Sequence, residues 1–166
     1  MATSTLIQKL FGSDETSVGE DNNKFSNRIQ VEKFRCSEVI TAGATVSLDL
    51  SQTSNGLRAM VVAEADAADV VPIGIYTGGD SAADSASGDY IDVVTRGIVE
   101  EALVNGNTSN VDIGDALYIS ANGILVNQRV NEGGSGDFNL KPAVAVAMEA
   151  VTADGGTARV YVLSQF

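Results

Sequence analysis

Short runs of β-forming residues, separated by turn residues, dominate the last third of this 166-residue chain. They occupy residues 114–119, 124–126, 142–148 and 158–163, and Asn122-Gly123 separates the first two runs. Asn and Gly adopt the backbone conformations of tight turns, whereas Val, Ile and Tyr favour pleated strands. The pattern therefore predicts a compact sheet or a small barrel.

The same pattern extends back to residue 29 and predicts an all-β body, a small antiparallel β-barrel or β-tulip-like domain over residues 29–166. In residues 45–50 strict alternation places Val46, Leu48 and Leu50 on one face. Pro72 cannot donate to a sheet ladder, so we expect it at an edge or a bulge. Further strands are predicted at residues 29–34, 38–41, 57–63, 70–76, 90–95 and 97–104, with long loops at 77–89 and 128–140.

Residues 1–28 differ in composition and are predicted to form an extended N-terminal arm. They are rich in Ser, Thr, Asn and acidic residues, with an isolated apolar patch at residues 6–11. Such a segment buries too little apolar surface to fold alone, and it becomes ordered against a partner or lies as a short helix on its own domain. Residues 1–35 hold five basic and five acidic residues, so the net charge of −12 belongs to residues 36–166.

The composition excludes several classes of function. The chain has no histidine, which rules out a Ser-His-Asp triad and a Cys-His pair. An acidic body lacks the clustered Lys and Arg that phosphate contacts need, so no nucleic-acid partner is expected. The longest apolar runs are too short to span a bilayer, so we expect a soluble protein that stays in the cytoplasm where it is made, with no membrane partner.

The remaining reactive residues predict no catalytic, metal or cofactor site. Cys36 has no base nearby in the sequence and is predicted to be a half-buried structural residue. The spacing of Asp80, Asp84, Asp89 and Asp92 does not match a calcium-binding loop. Glu100 and Glu101 are adjacent on a strand and should point to opposite faces, so they cannot act as an acid and base pair. We therefore expect no enzymatic activity.

One resemblance covers residues 57–166 at most. The strand at 97–99, the run 111–118, the Asn122-Gly123 turn, the run 142–149, and Gly155-Gly156 followed by 159–163 occur in an order that resembles the small head decoration (capsid cement) proteins of tailed bacteriophages. The resemblance implies a homotrimer on the outside of an expanded icosahedral capsid, at threefold or quasi-threefold positions. Its implied partner is the major capsid protein, whose neighbouring subunits it would staple together.

The residues themselves favour the arm and the first strand as the surface that binds a capsid. A neutral, partly apolar arm on an acidic body can order against a shell while the body faces outward. The candidate capsid-binding residues are Leu6, Leu10, Phe11, Lys24, Phe25, Arg28, Lys33 and Arg35. Val31 and Phe34 are predicted to begin the core. The alternative is a carbohydrate- or receptor-binding β module of a virion fibre or surface knob that uses the two long loops.

Overall fold

The computed structural model describes residues 29–66, 71–78, 83–106, 110–127, 142–152 and 155–163. This part of the chain is nearly all β, as predicted, with a single four-residue helix among the described residues. The elements are β1 (Gln30–Cys36), β2 (Thr45–Leu48), α1 (Asn55–Arg58), β3 (Val61–Glu64), β4 (Pro72–Tyr76), β5 (Tyr90–Asn105), β6 (Ala116–Ile119), β7 (Leu125–Val126), β8 (Ala145–Ala147) and β9 (Gly156–Val162). No helix in these ranges is long and apolar enough to cross a bilayer. The predicted boundary between arm and body at residue 28 lies at the edge of the described residues and stays a prediction.

The strands close into two five-stranded barrels that share β5. Barrel 1 runs β1-β3-β2-β4-β5, and it closes because β1 also pairs with β5. Barrel 2 runs β5-β7-β6-β8-β9, and it closes because β9 pairs with β5. The 16-residue β5 belongs to barrel 1 up to Arg96 and to barrel 2 from Gly97, whose φ of 116° marks the change of partners.

The two barrels repeat one topology. In each, the first strand pairs in parallel with the third, and the other four pairings are antiparallel. The registers match as well, since Leu48 pairs with Val62 in barrel 1 as Ile119 pairs with Leu125 in barrel 2. A barrel is thus repeated within the chain, although the sequence shows no fixed period.

Equivalent positions in the two barrels have equivalent burial. The register pairs Cys36 with Val62 and Val104 with Leu125, and all four side chains are at least 98% buried. Each barrel has its own apolar core of aliphatic residues, to which barrel 1 adds Phe34 and Tyr76. Phe34 thus belongs to the core, as predicted. Val31 does not, because its side chain points outward and is 40% exposed.

Several predicted strands have different bounds. The runs at 90–95 and 97–104 form one strand, because Gly97 pairs with β9 where Arg96 pairs with β1. Residues 38–41 form no strand, and β2 ends at Leu48, which leaves Leu50 exposed in a turn. The strand predicted from residue 57 begins at Val61, because α1 occupies residues 55–58. Pro72 lies opposite Ser47 beside a register shift, which confirms the predicted bulge.

Candidate binding surface

An exposed strip on barrel 1 contains the predicted site residues that the structure describes. Alternate residues of β1, namely Val31, Lys33 and Arg35, point outward from the barrel. In the adjacent antiparallel β5, Asp92 lies opposite Lys33, and Tyr90 lies opposite Arg35. Directly opposite side chains share one face of a sheet. These five residues are called the outer strip below.

The charged groups of the outer strip have partners within the barrel. The Lys33 Nζ lies 2.7 Å from Asp92 Oδ1, and both side chains are well exposed. The Arg35 Nε donates to the Gly88 carbonyl oxygen at 3.4 Å. These contacts orient both cations along the strip and leave them open to solvent. The other candidate capsid-binding residues, which lie outside the described residues, are Leu6, Leu10, Phe11, Lys24, Phe25 and Arg28.

The aromatic ring of Tyr90 is the feature of the strip that sequence reasoning missed. Its side chain is 68% exposed, which is unusual for a large aromatic group. It begins β5 directly after a turn through Gly88. The signal available in the sequence was its position at the first residue of a strand, where the barrel does not cover the outer face.

A shallow, open depression of about 300 Å³ adjoins Tyr90. Its carboxylates have separate structural partners: the Asp84 Oδ1 accepts from the Ala42 N–H at 2.9 Å, and the Asp89 Oδ2 accepts from the Ala86 N–H at 2.9 Å. Asp92 is paired with Lys33 on the outer strip. The described residues contain no group of three or more His, Cys, Asp or Glu side chains that could hold a metal ion.

Cys36 lies inside barrel 1 and is 98% buried. Its Sγ donates to the Ser85 Oγ at 3.4 Å, and the same oxygen accepts from the Ile40 N–H at 3.0 Å. Burial raises the pKa of the thiol, and the contact with Ser85 lowers it less. The neutral thiol is therefore favoured, and Cys36 is more deeply buried than the half-buried residue that was predicted.

Glu100 and Glu101 do not alternate between the core and the surface of barrel 2, as a regular strand would require. A bulge between Val99 and Ala102 leaves both Glu100 and Glu101 exposed. The Glu100 Oε2 accepts from the Arg159 Nε at 2.5 Å on the surface of barrel 2. That hydrogen bond and the charge of Glu100 raise the pKa of Arg159.

Barrel closure limits how this surface can bind a partner. Each described strand has a partner strand on both sides of its ring, but β1 pairs with β3 only at Arg35 and Cys36, so its residues 30–34 pair with β5 alone and form a short sheet edge. A partner can therefore contact outward-facing side chains, with the outer strip as one candidate, or the short edge of β1 beside it.

Comparison with known structures shows a similarity in fold. No known protein family matches the sequence, and no curated protein matches it. The chain is similar to the crystal structure of the head fiber gp8.5 N base in bacteriophage phi29, with 14% identity and a TM-score of 0.48 over 81% of this chain and 94% of that chain. At this TM-score the similarity carries no argument about the function of this chain.

Proposed function

We propose that this chain is a structural protein of a phage virion that binds the outer surface of an expanded icosahedral capsid. It acts as a homotrimer at threefold or quasi-threefold positions and staples neighbouring subunits of the major capsid protein. The sequence resemblance to decoration proteins motivates the proposal. The position of the outer strip supports it, because β1 follows residues 1–28 directly in the chain.

The observation that carries the proposal is the exposure of Lys33 and Arg35 on β1. Both were predicted to bind a capsid, and both point outward from a closed barrel, with Val31 as an exposed apolar neighbour. A strip of exposed apolar, aromatic and charged side chains, continuous in the chain with the predicted arm, can bind a larger surface of mixed character. A neighbouring site that binds the arm adds to the affinity of the strip through effective concentration.

The closed barrels suit a mechanical role. Outward force on a capsid subunit would have to break contacts at all three copies of a trimer before the shell could open. A body whose strands close into rings exposes little sheet edge, which limits unwanted pairing with other strands in a protein present in many copies. The excess of acidic residues beyond position 35 keeps such a body soluble.

The test is co-sedimentation of the full chain with empty expanded capsids and with unexpanded procapsids. We expect the protein to pellet with expanded capsids only. Equal pelleting with both forms would contradict the specificity for an expanded shell, and no pelleting with either would contradict the proposal.

A pair of charge reversals tests which surface binds. Arg35→Glu changes the outer strip, whereas Arg96→Glu makes the same change of charge at an exposed position further along β5. We expect Arg35→Glu to weaken capsid binding at least tenfold more than Arg96→Glu, which corresponds to about 1.4 kcal/mol. Equal effects would mean that overall charge, and not the strip, governs binding.

The carbohydrate- or receptor-binding alternative is favoured by the exposed ring of Tyr90 beside the open depression. Sugars stack on aromatic faces and accept hydrogen bonds from nearby polar groups. A glycan array probed with the isolated full chain, and with Tyr90→Ala as control, distinguishes the two functions. Glycan binding that Tyr90→Ala abolishes would favour the alternative.

A further inference from the structure

One outward face of barrel 1 is covered by barrel 2. Val94, Ile75 and Thr45 are direct cross-strand neighbours on β5, β4 and β2, so they form a row on one face. They point away from the core of barrel 1, yet their exposure is 5%, 0% and 0%. Ile75 and Val94 belong instead to the apolar cluster that contains the core of barrel 2.

A hairpin of barrel 2 makes this junction. Gly123, between β6 and β7, donates its N–H to the Ala65 carbonyl oxygen at 2.7 Å, and its own carbonyl oxygen accepts from the Thr45 N–H at 2.8 Å. The carbonyl oxygen of Gly43 accepts from the Leu103 N–H at 2.9 Å. The connection between the second and third strands of one barrel is thus seated on the outer row of the other.

The equivalent row on barrel 2 has no such cover among the described residues. Tyr161, Val146 and Ala116 are direct neighbours on β9, β8 and β6, in the same register as the row on barrel 1. None of the three is buried. Ile113 and Met148 lie beside them and are 70% and 44% exposed. These five residues are called the barrel 2 row.

The equivalent connection on barrel 1 is also uncovered. It runs from Asp49 to Met60 between β2 and β3 and includes α1. Leu50, Leu57 and Met60 are 53%, 40% and 53% exposed on it. Asp49 holds the turn, since its carboxylate accepts from the Ser51 N–H at 3.0 Å and from the Gln52 Nε2 at 2.6 Å. Leu50, Leu57 and Met60 are called the barrel 1 end.

We infer that the barrel 2 row binds the barrel 1 end of a second copy of this chain. Within one molecule, the connection between the second and third strands of barrel 2 covers the outer row of barrel 1. The proposed contact repeats this arrangement between two molecules, with the connection of barrel 1 covering the row of barrel 2. The exposed apolar side chains of the barrel 2 row and those of the barrel 1 end would be buried against each other. Clusters of this kind on a soluble protein mark interaction sites.

The charges around the two surfaces favour this pairing. Asp112 and Glu149 are exposed beside the barrel 2 row, with Arg159 next to Glu149, and Arg58 is exposed next to Leu57 on the barrel 1 end. Opposite signs at the rim of an interface favour association and set its orientation.

Because two different surfaces meet, the contact is heterologous, and successive copies form a closed ring or an open chain. A closed ring of three would agree with the trimer in the proposed function. The contact does not depend on capsid binding, since it joins copies of the protein in solution, and it is tested without any capsid.

The experiment is analytical ultracentrifugation of the full chain and of two variants. Ile113→Glu with Met148→Glu disables the row, and Leu57→Glu with Met60→Glu disables the end. We expect the wild type to sediment as an oligomer and each variant alone as a monomer. An equal mixture should give dimers and nothing larger, because one intact row meets one intact end.

Val39→Glu is the matched control, since Val39 is 59% exposed and lies on neither surface. It should sediment like the wild type, and circular dichroism should show all variants folded. A monomeric wild type would overturn the inference, as would variants that remain oligomeric or a mixture that remains monomeric. If deletion of residues 1–28 dissociated the oligomer while the four glutamate substitutions did not, the arm and not the barrel contact would hold the copies together, which would also overturn it.

Discussion

Gly43 and Gly114 occupy the same position in the two barrels, in the turn that precedes the second strand. Their φ angles are 84° and 95°, in the region that favours glycine. The Gly43 N–H donates to the Tyr76 carbonyl oxygen, and the Gly114 N–H donates to the Ala147 carbonyl oxygen, both at 2.8 Å. The two turns differ in their surroundings: a Cβ on Gly43 would meet the Glu101 carbonyl oxygen, whereas one on Gly114 would meet nothing within 4 Å.

Substitution of these two glycines measures, as a difference in unfolding free energy, how tightly the barrels are packed at their junction. Both Gly114→Ala and Gly43→Ala introduce a side chain at positive φ, which costs about 1–2 kcal/mol. Only Gly43→Ala also forces β5 away from the turn, so we expect its loss of unfolding free energy to exceed that of Gly114→Ala by at least about 1 kcal/mol. Chemical denaturation of both variants gives the comparison. Equal losses of unfolding free energy would mean that β5 moves away from the Gly43 turn without loss of stability.

The junction also contains a buried hydroxyl that can be replaced. Thr45 is fully buried, and its Oγ1 has no hydrogen-bond partner among the described residues. A buried hydroxyl without a partner costs about 1–3 kcal/mol. We therefore expect Thr45→Val, which keeps the branched shape, to raise the unfolding free energy by about 1 kcal/mol.

Thr95→Val is the control for that substitution. Its Oγ1 donates to the Gln30 carbonyl oxygen at 3.3 Å, and the side chain is 7% exposed. Loss of this bond should lower the unfolding free energy by about 1 kcal/mol. If Thr45→Val lowered the unfolding free energy as much as Thr95→Val, the Thr45 hydroxyl would have to make a hydrogen bond in the folded protein.

The sequence was sufficient for the class of fold and for some of its details. Alternation in β2 and the turn glycines predict strands and short connections. Pro72 predicts a bulge because proline has no backbone N–H to donate to the sheet. These signals are local, since each depends on a residue and its immediate neighbours.

The repeat and the binding surfaces depend on pairing between distant strands. Cys36 and Val104 occupy equivalent buried positions but share only their burial, so no period appears in the sequence. The sequence predicts Gly97 as the start of a separate strand, yet it lies within one continuous strand, where it pairs with β9 while its neighbour Arg96 pairs with β1. Tyr90 is exposed because the pairing of β5 with β1 places its side chain on the outer face of barrel 1. The composition of the chain does not specify this position.

The thiol of Cys36 should be protected by folding. Only the thiolate reacts readily, and burial both hides the sulfur and raises its pKa. We expect a thiol reagent to modify the native full chain at the rate of global or local opening, and the denatured chain at least a hundredfold faster. Rapid modification of the native protein would show that barrel 1 opens around Ser85.

The same residue predicts a pH dependence of stability. The folded state holds the thiol proton more tightly than the unfolded chain, so this contribution is full below the ordinary pKa of 9.0 and is lost as pH rises above it. Cys36→Val, which introduces the same side chain that Val104 has at the equivalent position, removes this effect. Its stability should fall less steeply than that of the wild type above pH 9.0. Parallel curves would mean that Tyr76, whose pKa burial also raises, accounts for the alkaline loss.

The ion pair on the outer strip should contribute little to stability, although its Nζ and Oδ1 atoms are only 2.7 Å apart. The Lys33 and Asp92 side chains are 69% and 49% exposed, so water and salt screen their attraction. A double-mutant cycle with Lys33→Ala and Asp92→Ala should give a coupling energy below about 1 kcal/mol. The Arg159–Glu100 pair on barrel 2, which is similarly exposed, provides the comparison and should give a similar value.

This result decides how binding defects at Lys33 are interpreted. If the coupling energy and the loss of unfolding free energy in Lys33→Ala are both small, a Lys33→Ala variant that no longer sediments with expanded capsids has lost a contact to the shell, because its barrel remains about as stable as that of the wild type. A coupling energy well above about 1 kcal/mol would mean that the pair holds β1 on β5. Loss of capsid binding would then follow from a displaced first strand, and only Arg35→Glu would test the strip itself.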